Sequence, residues 1–322
     1  MRIKNSPYNL RETLGYFKRN YLGPVKKNRG LVSYCPQQLE LNRGVQRQLK
    51  IAFIGDIMDM AGRHLQMGEG IKHFVSDCDY LAGNFEATIT DAKGAYMAQR
   101  HIPQILDALA DLFTPEKTFL GLANNHSGDF GHQIWTRSKT QIEEKGFQVF
   151  GFDEKPFVDI GQGVRILGAT QWSNQPVDYI PGLNEASHYH KPDRFNILYP
   201  HWGYELELFP RPELVQSGND LSSIFNAIIG HHSHIPQAIT VTPVNRQEGP
   251  VNQVIAYGLG DFCIFEKLKH YLYGQVVKLT VGLQDDRNWM AGSLEWRFTT
   301  CQPIDDKNWK TDITESYPYP MA

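Results

Sequence analysis

The sequence has few cysteines and no long apolar run, and these two absences exclude several classes of protein. Its four cysteines, at positions 35, 78, 263 and 301, include no C-x-x-C pair, so neither a disulfide framework nor a thiolate zinc site is expected. Every apolar run is far shorter than the roughly 18–20 residues of a membrane-spanning helix, so no transmembrane segment is expected. Any metal site should therefore use nitrogen and oxygen ligands.

The sequence also lacks an excess of charge of either sign. Its 322 residues include 32 Lys and Arg against 35 Asp and Glu, a formal charge of -3, which favours no specific nucleic-acid partner. The first residues have no apolar core and no small-residue cleavage site, so no secretory signal is predicted and a cytoplasmic location is expected. The 41% of hydrophobic residues is enough for a large folded core.

The near-neutral total conceals an uneven distribution of charge. Residues 1–50 hold 11 Lys and Arg and 2 Asp and Glu, whereas the rest of the chain carries 21 against 33. Basic residues such as Lys26 and Lys27 are interleaved with aromatic ones such as Tyr21. We interpret residues 1–48 as a basic arm that either docks on the acidic body of the chain or contacts an anionic surface or polyanionic substrate.

From about residue 49 onward, short apolar runs repeatedly end in polar or metal-ligating residues. Runs of this kind are typical of strands buried on both faces, and open α/β sheets bind ligands at the carboxyl ends of such strands. Six runs are therefore predicted to meet at one site, and they cover residues 51–56, 79–86, 118–126, 196–203, 226–234 and 254–262.

Amphipathic spacing predicts helices between these runs. The helices are expected over about 102–112 and 130–145 and around 221–228, with Asp129 as the N-cap of the second and Gly146 as its C-terminal stop. Further strands are predicted at 164–170, 276–283 and 293–298. The whole pattern predicts a single α/β core domain over residues 49–300, followed by a loosely attached tail over 301–322.

The ends of the apolar runs carry the residues that can do chemistry. His231, His232 and His234 directly follow one predicted strand, and neutral imidazole is the commonest metal ligand. Asp56 and Glu86 place single carboxylates after two other runs, although Gly-Asp is also ordinary turn chemistry. A cation held by imidazole and carboxylate groups is the chemistry that this combination favours.

Two further groups stand at strand ends. In the stretch after residue 118, Asn125 offers an amide oxygen as a ligand while His126 stays available for proton transfer. Asp129 either orients His126, if the two side chains meet, or only caps the following helix. His201 follows another run, where a buried structural histidine is the alternative interpretation.

In chain order these motifs resemble the capsule-biosynthesis CapA family, also called the poly-γ-glutamate synthesis domain, which is similar to the calcineurin-like metallophosphoesterases. The resemblance covers about residues 51–262. It implies a metallophosphoesterase-like four-layer α/β/β/α sandwich with one or two divalent ions. The motifs are GDIM at 55–58, GNFE at 83–86, ANNHSGDFG at 123–131, HWGYE at 201–205, GHHSHIPQ at 230–237 and YGLGDF at 257–262.

The resemblance also implies a role for individual residues. His126 acts on the leaving group, and His231 lies outside the ligand set. Mn, Zn, Fe and Ni all suit a site of nitrogen and oxygen ligands. By resemblance, the metal ligands are Asp56, Glu86, Asn125, His201, His232 and His234.

Three positions depart from the pattern of the relatives. Met58 stands where the superfamily has a histidine, Asn84 replaces the bridging carboxylate, and Asp261 stands where the family usually has Asn. The expected function is a metal-dependent hydrolase of phosphoesterase type, linked to capsule or poly-γ-glutamate polymer metabolism. Two alternatives stay open: a hydrolase or transferase on amide-linked polyglutamate, and a non-catalytic protein that binds a polyanion or an assembly partner.

Overall fold

The computed structural model describes residues 6–161, 163–246, 249–284 and 288–321. The helices are α1 (Leu10–Leu22), α2 (Glu69–Val75), α3 (Ile105–Leu112), α4 (His132–Glu144) and α5 (Pro212–Ser222). The strands are β1 (Gln38–Glu40), β2 (Gln46–Ile57), β3 (His64–Met67), β4 (Tyr80–Phe85), β5 (Thr88–Ile89), β6 (Arg100–His101), β7 (Thr118–Gly121), β8 (Gln148–Phe150), β9 (Phe157–Ile160), β10 (Val164–Thr170), β11 (Phe195–His201), β12 (Ala227–Ile229), β13 (Ile239–Arg246), β14 (Gly249–Ala256), β15 (Asp261–Cys263), β16 (Tyr273–Leu283), β17 (Trp289–Pro303) and β18 (Asn308–Thr314). Among the described residues, no helix combines the length and the apolar character needed to cross a membrane.

The strands form two large sheets and one short pair. The first sheet has the order β3-β18-β17-β16-β2-β4-β7-β8, with β1 beside β17 and β15 beside β2; the second has the order β13-β14-β12-β11-β10-β9. Strands β2, β4, β7 and β8 run parallel, as do β10, β11, β12 and β14. Each sheet thus has a parallel centre whose carboxyl ends lie at one edge.

The two sheets pack face to face, and helices cover both outer faces. Along β2 the side chains alternate: Ile51 and Phe53 enter the core between the sheets, whereas Ala52 and Ile54 join the cluster formed with α2, α3 and α4. On the outer face of the second sheet, Leu214 of α5 packs with residues of β11, β12 and β14. The predicted α/β/β/α layering is therefore confirmed.

Most of the predicted elements are present. Each of the six apolar runs contains a strand, helices α3 and α4 lie where the spacing places them, and Gly146 follows α4 with a φ of +98°. The third helix is the exception, because α5 begins at Pro212 and ends at Ser222. The apolar residues that suggested a helix at 221–228 instead lead into β12, where Ile228 is buried by the sheet.

Both ends of the described chain pack on the body. Helix α1 lies beside the loop that follows β11, with Arg19 Nε donating to the Glu205 carbonyl oxygen at 2.7 Å. At the other end, β18 pairs with β17 and β3. This differs from the expectation of a loose tail over 301–322. Trp309 and Thr311 lie on the same face of β18, and both side chains are buried.

Candidate metal centre

Asp56 lies at the carboxyl end of β2 and has no solvent exposure. Its Oδ1 accepts from Asn84 Nδ2 at 2.8 Å, and its Oδ2 accepts from the backbone N–H of His232 at 3.0 Å. The same Asn84 nitrogen donates to Glu86 Oε2 at 3.0 Å. Asn84 therefore joins two carboxylates that lie at the carboxyl ends of the neighbouring strands β2 and β4.

A close approach of two backbone segments brings Asp261 beside Asp56. The Asp56 N–H donates to the Gly260 carbonyl oxygen at 2.9 Å, and a Cβ atom on Gly55 would lie 1.9 Å from that oxygen. Gly260 itself has a φ of +68°, which favours glycine. The pairing of β15 with β2, which these glycines permit, places the Asp261 carboxylate in the site.

The second sheet supplies the imidazoles. His201, at the end of β11, has its Nδ1 2.7 Å from Nδ1 of His231, which in turn lies 3.6 Å from Asp56 Oδ1. His234 Nδ1 lies 2.9 Å from an oxygen of Asp261. His232 and His234 adopt positive φ values of 90° and 54°. Such backbone costs roughly 1–3 kcal/mol per residue and is concentrated at functional sites.

His126 and its neighbours form the third part of the site. His126 Nδ1 lies 2.6 Å from Asp129 Oδ2, and the same oxygen accepts from the Gln99 N–H at 2.9 Å. The prediction that Asp129 caps α4 is wrong, because Gly131 holds the N-cap position and the Asp129 carboxylate is engaged elsewhere. Asn125 Oδ1 lies 2.6 Å from His201 Nε2, so this group is continuous with the imidazoles.

Several buried ligand atoms in the site have no hydrogen-bond partner. They are Glu86 Oε1, His232 Nδ1 and Asp261 Oδ2. Such groups are rare in folded proteins unless an ion or water satisfies them. Glu86 Oε1 lies 3.4 Å from Nε2 of His201 and 3.9 Å from Nε2 of His234. Other atoms that can ligate a metal therefore lie close to this oxygen. These unsatisfied atoms fit a bound cation.

Among the residues that the structure describes, three groups of side chains have ligand atoms within 4.8 Å of one another. All members of the groups are buried, and all are nitrogen or carboxylate-oxygen donors. The donor set suits Mn, Zn, Fe or Ni rather than a thiolate-bound ion. The groups are Asp56 with His201 and His231, Glu86 with His232 and His234, and Asp56 with His234 and Asp261.

Burial and crowding raise the pKa values of two carboxylates of the site, Glu86 and Asp261. Burial, and then the neighbouring Asp56 carboxylate, raises the pKa of Glu86 well above its ordinary value. Burial raises the pKa of Asp261 to about 7, although His234 opposes the shift. A cation would relieve this repulsion, because it stabilises the charged form of each carboxylate.

The pKa values of the imidazoles are lowered, as metal binding requires, with one exception. Burial, and then the neighbouring imidazoles, lowers the pKa of His201 and of His232 well below the ordinary value. Burial also lowers the pKa of His231 to about 4. These rings are neutral near pH 7, which is the ligating form. For His234, burial lowers the pKa but the adjacent Asp261 carboxylate outweighs it, and the pKa rises to about 9.

Tyr8, from the N-terminal arm, closes one side of the site and was missed by the sequence analysis. Its side chain is 2% exposed, and its hydroxyl lies 2.7 Å from Nε2 of His232. The hydroxyl also donates to Glu205 Oε1 at 3.1 Å. Burial, and then Glu205, raises the pKa of Tyr8 well above its ordinary value. No local pattern signals this contact, because it joins residues 224 positions apart.

The structure brings the predicted ligands together and adds neighbours to them. Asp56, Glu86, His201, His232 and His234 contact one another directly or through Asn84, and Asn125 contacts His201. His231, which the sequence analysis left out, and Asp261 have ligand atoms in the same cluster. In the sequence, only their positions beside His232 and beside Gly260 indicated that His231 and Asp261 could lie in the site.

Met58, for which the resemblance implied the place of a superfamily histidine, packs among apolar side chains. It is 3% exposed and belongs to an apolar cluster with Leu206, Ile235 and Ile264. It also lines a cavity of about 320 Å³ that adjoins the site. The part of the site around Asp56 therefore takes its nitrogen donors from the second sheet.

The cavity is bounded by the N-terminal arm on one side and by catalytic candidates on the other. Its described lining includes amide, phenol and carboxylate groups but no Lys or Arg. The polar lining residues are Ser6, Tyr8, Thr13, Tyr16, Asn20, Tyr96, Gln99, Asn125, His126, Asn174, Glu205, His234, Glu266 and Tyr271. A ligand in this cavity thus meets hydrogen-bonding groups and negative charge.

The chain is similar to known bacterial capsule synthesis proteins over most of its core. The family model for the bacterial capsule synthesis protein PGA_cap matches residues 50–158 and 180–266. The chain is similar to the PGA biosynthesis protein CapA of Bacillus subtilis (strain 168), with 27% identity over 251 residues, 66% of this chain and 63% of that protein. It is also similar to the capsule biosynthesis protein CapA of Bacillus anthracis, with 26% identity over 263 residues, 67% of this chain and 59% of that protein. The chain thus spans less than two thirds of the length of these relatives, and the match over its core shows that it belongs to the PGA_cap family of bacterial capsule synthesis proteins.

Proposed function

We propose that this protein is a metal-dependent hydrolase of phosphoesters that acts in capsule or poly-γ-glutamate polymer metabolism. One observation carries the proposal: buried carboxylates and neutral imidazoles from both sheets surround ligand atoms that have no hydrogen-bond partner. The link to the polymer rests on the family and on the printed names of the two relatives. The resemblance to metallophosphoesterases supplies the reaction class, which the arrangement supports.

The ligand set that we propose is the one that the resemblance implies, with two additions. Asp56, Glu86, Asn125, His201, His232 and His234 would hold one or two divalent ions, and His231 and Asp261 have donor atoms beside them. A divalent ion held by such ligands acts as a Lewis acid toward phosphoryl oxygens and lowers the pKa of water. His232 and His234 both have a positive φ, and backbone of this kind is concentrated at functional sites.

We assign the proton transfer to His126. Its Nδ1 is held by Asp129 at 2.6 Å, and its Nε2 lies 4.0 Å from the unsatisfied oxygen of Glu86. With Nδ1 engaged, Nε2 is the ring atom that faces the site and can give a proton to a departing alkoxide. The contact with the Asp129 carboxylate fixes the orientation of the ring.

The cavity beside His126 indicates which leaving group the reaction would release. The described residues that line it include the carboxylates of Glu205 and Glu266 and no Lys or Arg, and the His234 ring in the lining is paired with Asp261. A polycarboxylate would meet repulsion there, whereas an uncharged alcohol would find phenol and amide partners. We therefore favour a phosphoester whose alcohol part is neutral over an amide bond within polyglutamate as the bond that is cleaved.

A second candidate is a non-catalytic protein that binds a polyanion or an assembly partner. The observation in its favour is Asn84, whose amide donates to both Asp56 and Glu86 and so holds two carboxylates together without a metal. Met58 adds to it, because the thioether packs in an apolar cluster at a position where relatives of the superfamily carry a ligand. In this case the site would bind without turnover.

Hydrolysis assays on the purified chain test the two candidates against each other. Phosphomonoesters, phosphodiesters and oligoglutamate are offered with Mn²⁺ or Zn²⁺, to the wild type and to His126→Ala and His64→Ala. His64 is an exposed histidine of β3 and serves as the matched control. We expect phosphoester turnover that falls about 10²–10⁴-fold in His126→Ala only. Turnover of oligoglutamate alone, or no turnover with any metal, contradicts the proposal.

A further inference from the structure

Helix α1 presents an unusual face to solvent. Leu14 is 59% exposed, Tyr21 71% and Leu22 76%. Together with Leu10 these residues stand at i, i+4, i+11 and i+12, so they share one side of the helix. Surface helices normally expose polar residues on this side. We call the exposed side the outward face, and it consists of Leu10, Arg11, Leu14, Lys18, Tyr21 and Leu22.

The opposite side of α1 is firmly attached, so the exposed leucines do not result from a helix that is detached from the body. Thr13 is buried, and Arg19 donates to the Glu205 carbonyl oxygen at 2.7 Å and lies 3.3 Å from Glu207. Glu12 forms an ion pair with Arg211 at 2.7 Å. The acidic residue of this helix is thus turned toward the body and away from the outward face.

Cationic side chains border the apolar ones. Arg11 and Lys18 belong to the outward face, and Lys26 and Lys27 follow in the loop after the helix, all four exposed. They line one cavity of about 740 Å³ together with Leu22. Three glutamates also line that cavity: Arg211 neutralises Glu12 and Glu207, and the exposed Glu213 stands against the four cations. The surface therefore combines apolar and positively charged groups within a few residues of chain.

We infer that this surface docks on an anionic lipid bilayer. Leucine and tyrosine side chains next to lysines and arginines match the boundary between acyl chains and phosphate headgroups. A soluble polyanion would be recognised by the cations but offers nothing to the leucines, and burying them against it gains little. The lipid surface is the partner that satisfies both kinds of side chain.

Docking in this way would place the metal centre close to the lipid. The inner side of the same helix lines the site cavity through Tyr16 and Asn20. The cavity therefore lies about one helix diameter, about 10 Å, from the outward face. This inference stands apart from the proposed hydrolase activity, because none of the outward-face residues is among the proposed ligands or His126.

Vesicle co-sedimentation of the full chain tests the inference. Vesicles of phosphatidylcholine alone are compared with vesicles that also contain phosphatidylglycerol, at low and high salt. The variants are K18A/K26A/K27A and L14A/L22A. The matched control is K310A with Ile304→Ser, which removes an exposed lysine and an exposed aliphatic side chain from the C-terminal part of the chain.

We expect binding to the anionic vesicles only, weakened by salt. At about 1 kcal/mol per cation, the triple lysine variant should bind roughly a hundredfold more weakly. The double leucine variant should bind about tenfold more weakly, and the control should match the wild type. No binding to anionic vesicles overturns the inference. Loss of binding in the lysine variant but not in the leucine variant, with competition by soluble polyglutamate, identifies a polyanion surface and also overturns it.

Discussion

Single residues decide whether this site holds a cation. Asp56, Glu86 and Asp261 bring three carboxylates into a volume without solvent, and burial raises the pKa of Glu86 and of Asp261. A buried carboxylate is stable as an anion only with a positive partner or several hydrogen bonds. A cation beside the unsatisfied atoms of Glu86 and His232 would supply such a partner.

Tyr8 gives the sharpest prediction at this scale. Its hydroxyl contacts Nε2 of His232, while the buried Nδ1 of the same ring has no hydrogen-bond partner, so the contact fixes the ring and leaves Nδ1 as the ring nitrogen that could ligate an ion. Partners of this kind typically change metal affinity 10–100-fold. The Tyr8→Phe variant should therefore bind Mn²⁺ about tenfold more weakly in isothermal titration calorimetry.

Tyr16→Phe is the matched control for Tyr8→Phe. Its hydroxyl lies in the same cavity but contacts the hydroxyl of Tyr271, at 3.3 Å, and not a histidine. Its removal should leave the affinity for Mn²⁺ unchanged. If Tyr8→Phe and the wild type bind the ion equally tightly, the contact with His232 has no role in metal binding.

The residue-level predictions from sequence depended on short motifs. Asp56, His201 and the histidines after β12 could be predicted because each follows an apolar run within its own motif. Tyr8 and Glu205 could not be assigned their contact, since the hydrogen bond that joins them spans 197 positions. Asp129 shows the remaining ambiguity: a carboxylate before a helix suits a cap, but here it holds His126.

At the scale of elements, the short strands around the site are held by buried polar contacts as well as by the sheets. His101 of β6 is 2% exposed, its Nε2 lies 3.2 Å from the Ile57 carbonyl oxygen, and its ring packs on Phe85 at a centroid distance of 4.8 Å. Burial lowers the pKa of His101 to about 4. Because His101 contacts the segment beside Asp56, its protonation should make the stability of this part of the fold depend on pH.

The sign of the pH effect follows from the neutral state of His101. Its unfolded pKa is about 6.5, so the unfolded chain binds a proton that the folded chain excludes as the pH falls below that value. Between about pH 7 and pH 5 this residue should remove about 2 kcal/mol from the free energy of unfolding. Urea unfolding of the wild type and of His101→Gln at both pH values measures the difference.

His64→Gln provides the comparison for His101→Gln, because His64 is exposed in β3. It should retain the full pH dependence of the wild type, whereas His101→Gln should lose the part assigned to His101. A pH dependence that is identical in all three proteins contradicts the assignment.

Element positions could be predicted better than element ends. The β-strands of the six runs were predictable because each run is apolar on both faces, as in β4 and β11. The prediction of a helix near 221–228 was wrong, because α5 ends at Ser222 and β12 begins at Ala227. The spacing of the apolar residues there is compatible with both a helix end and a strand. Helical and strand periods overlap over so few residues that the sequence alone does not separate them.

At the scale of the whole molecule, the site exists because two sheets meet at their carboxyl ends. Asp56 and Glu86 come from the first sheet, whereas His201 and the histidines after β12 come from the second. Contacts between the sheets fix this meeting: the Tyr199 hydroxyl donates to the Ile54 carbonyl oxygen, and its ring lies 5.9 Å from that of Phe53. The family resemblance implied this layering, but these contacts span too many residues to be predicted from local patterns.

The two ends of the described chain complete the molecule. Residues of the basic arm reach the site through Tyr8, and β18 extends the first sheet. The charge imbalance predicted that the arm could dock on the acidic body, and the ion pair between Arg19 and Glu207 is a contact of that kind. The exposed leucines of α1 were not part of that prediction, because exposure depends on which side of the helix the body covers.

The central claim of this account is that the buried cluster holds a divalent metal. The direct measurement is the metal-to-protein ratio by inductively coupled plasma mass spectrometry, after loading with Mn²⁺ or Zn²⁺ and removal of free ion. The wild type and Asp305→Asn, which changes an exposed carboxylate, should retain one or two ions per chain. Asp56→Asn should retain fewer, because it removes a charge from two of the three ligand groups. A wild-type protein that retains no divalent metal contradicts the account.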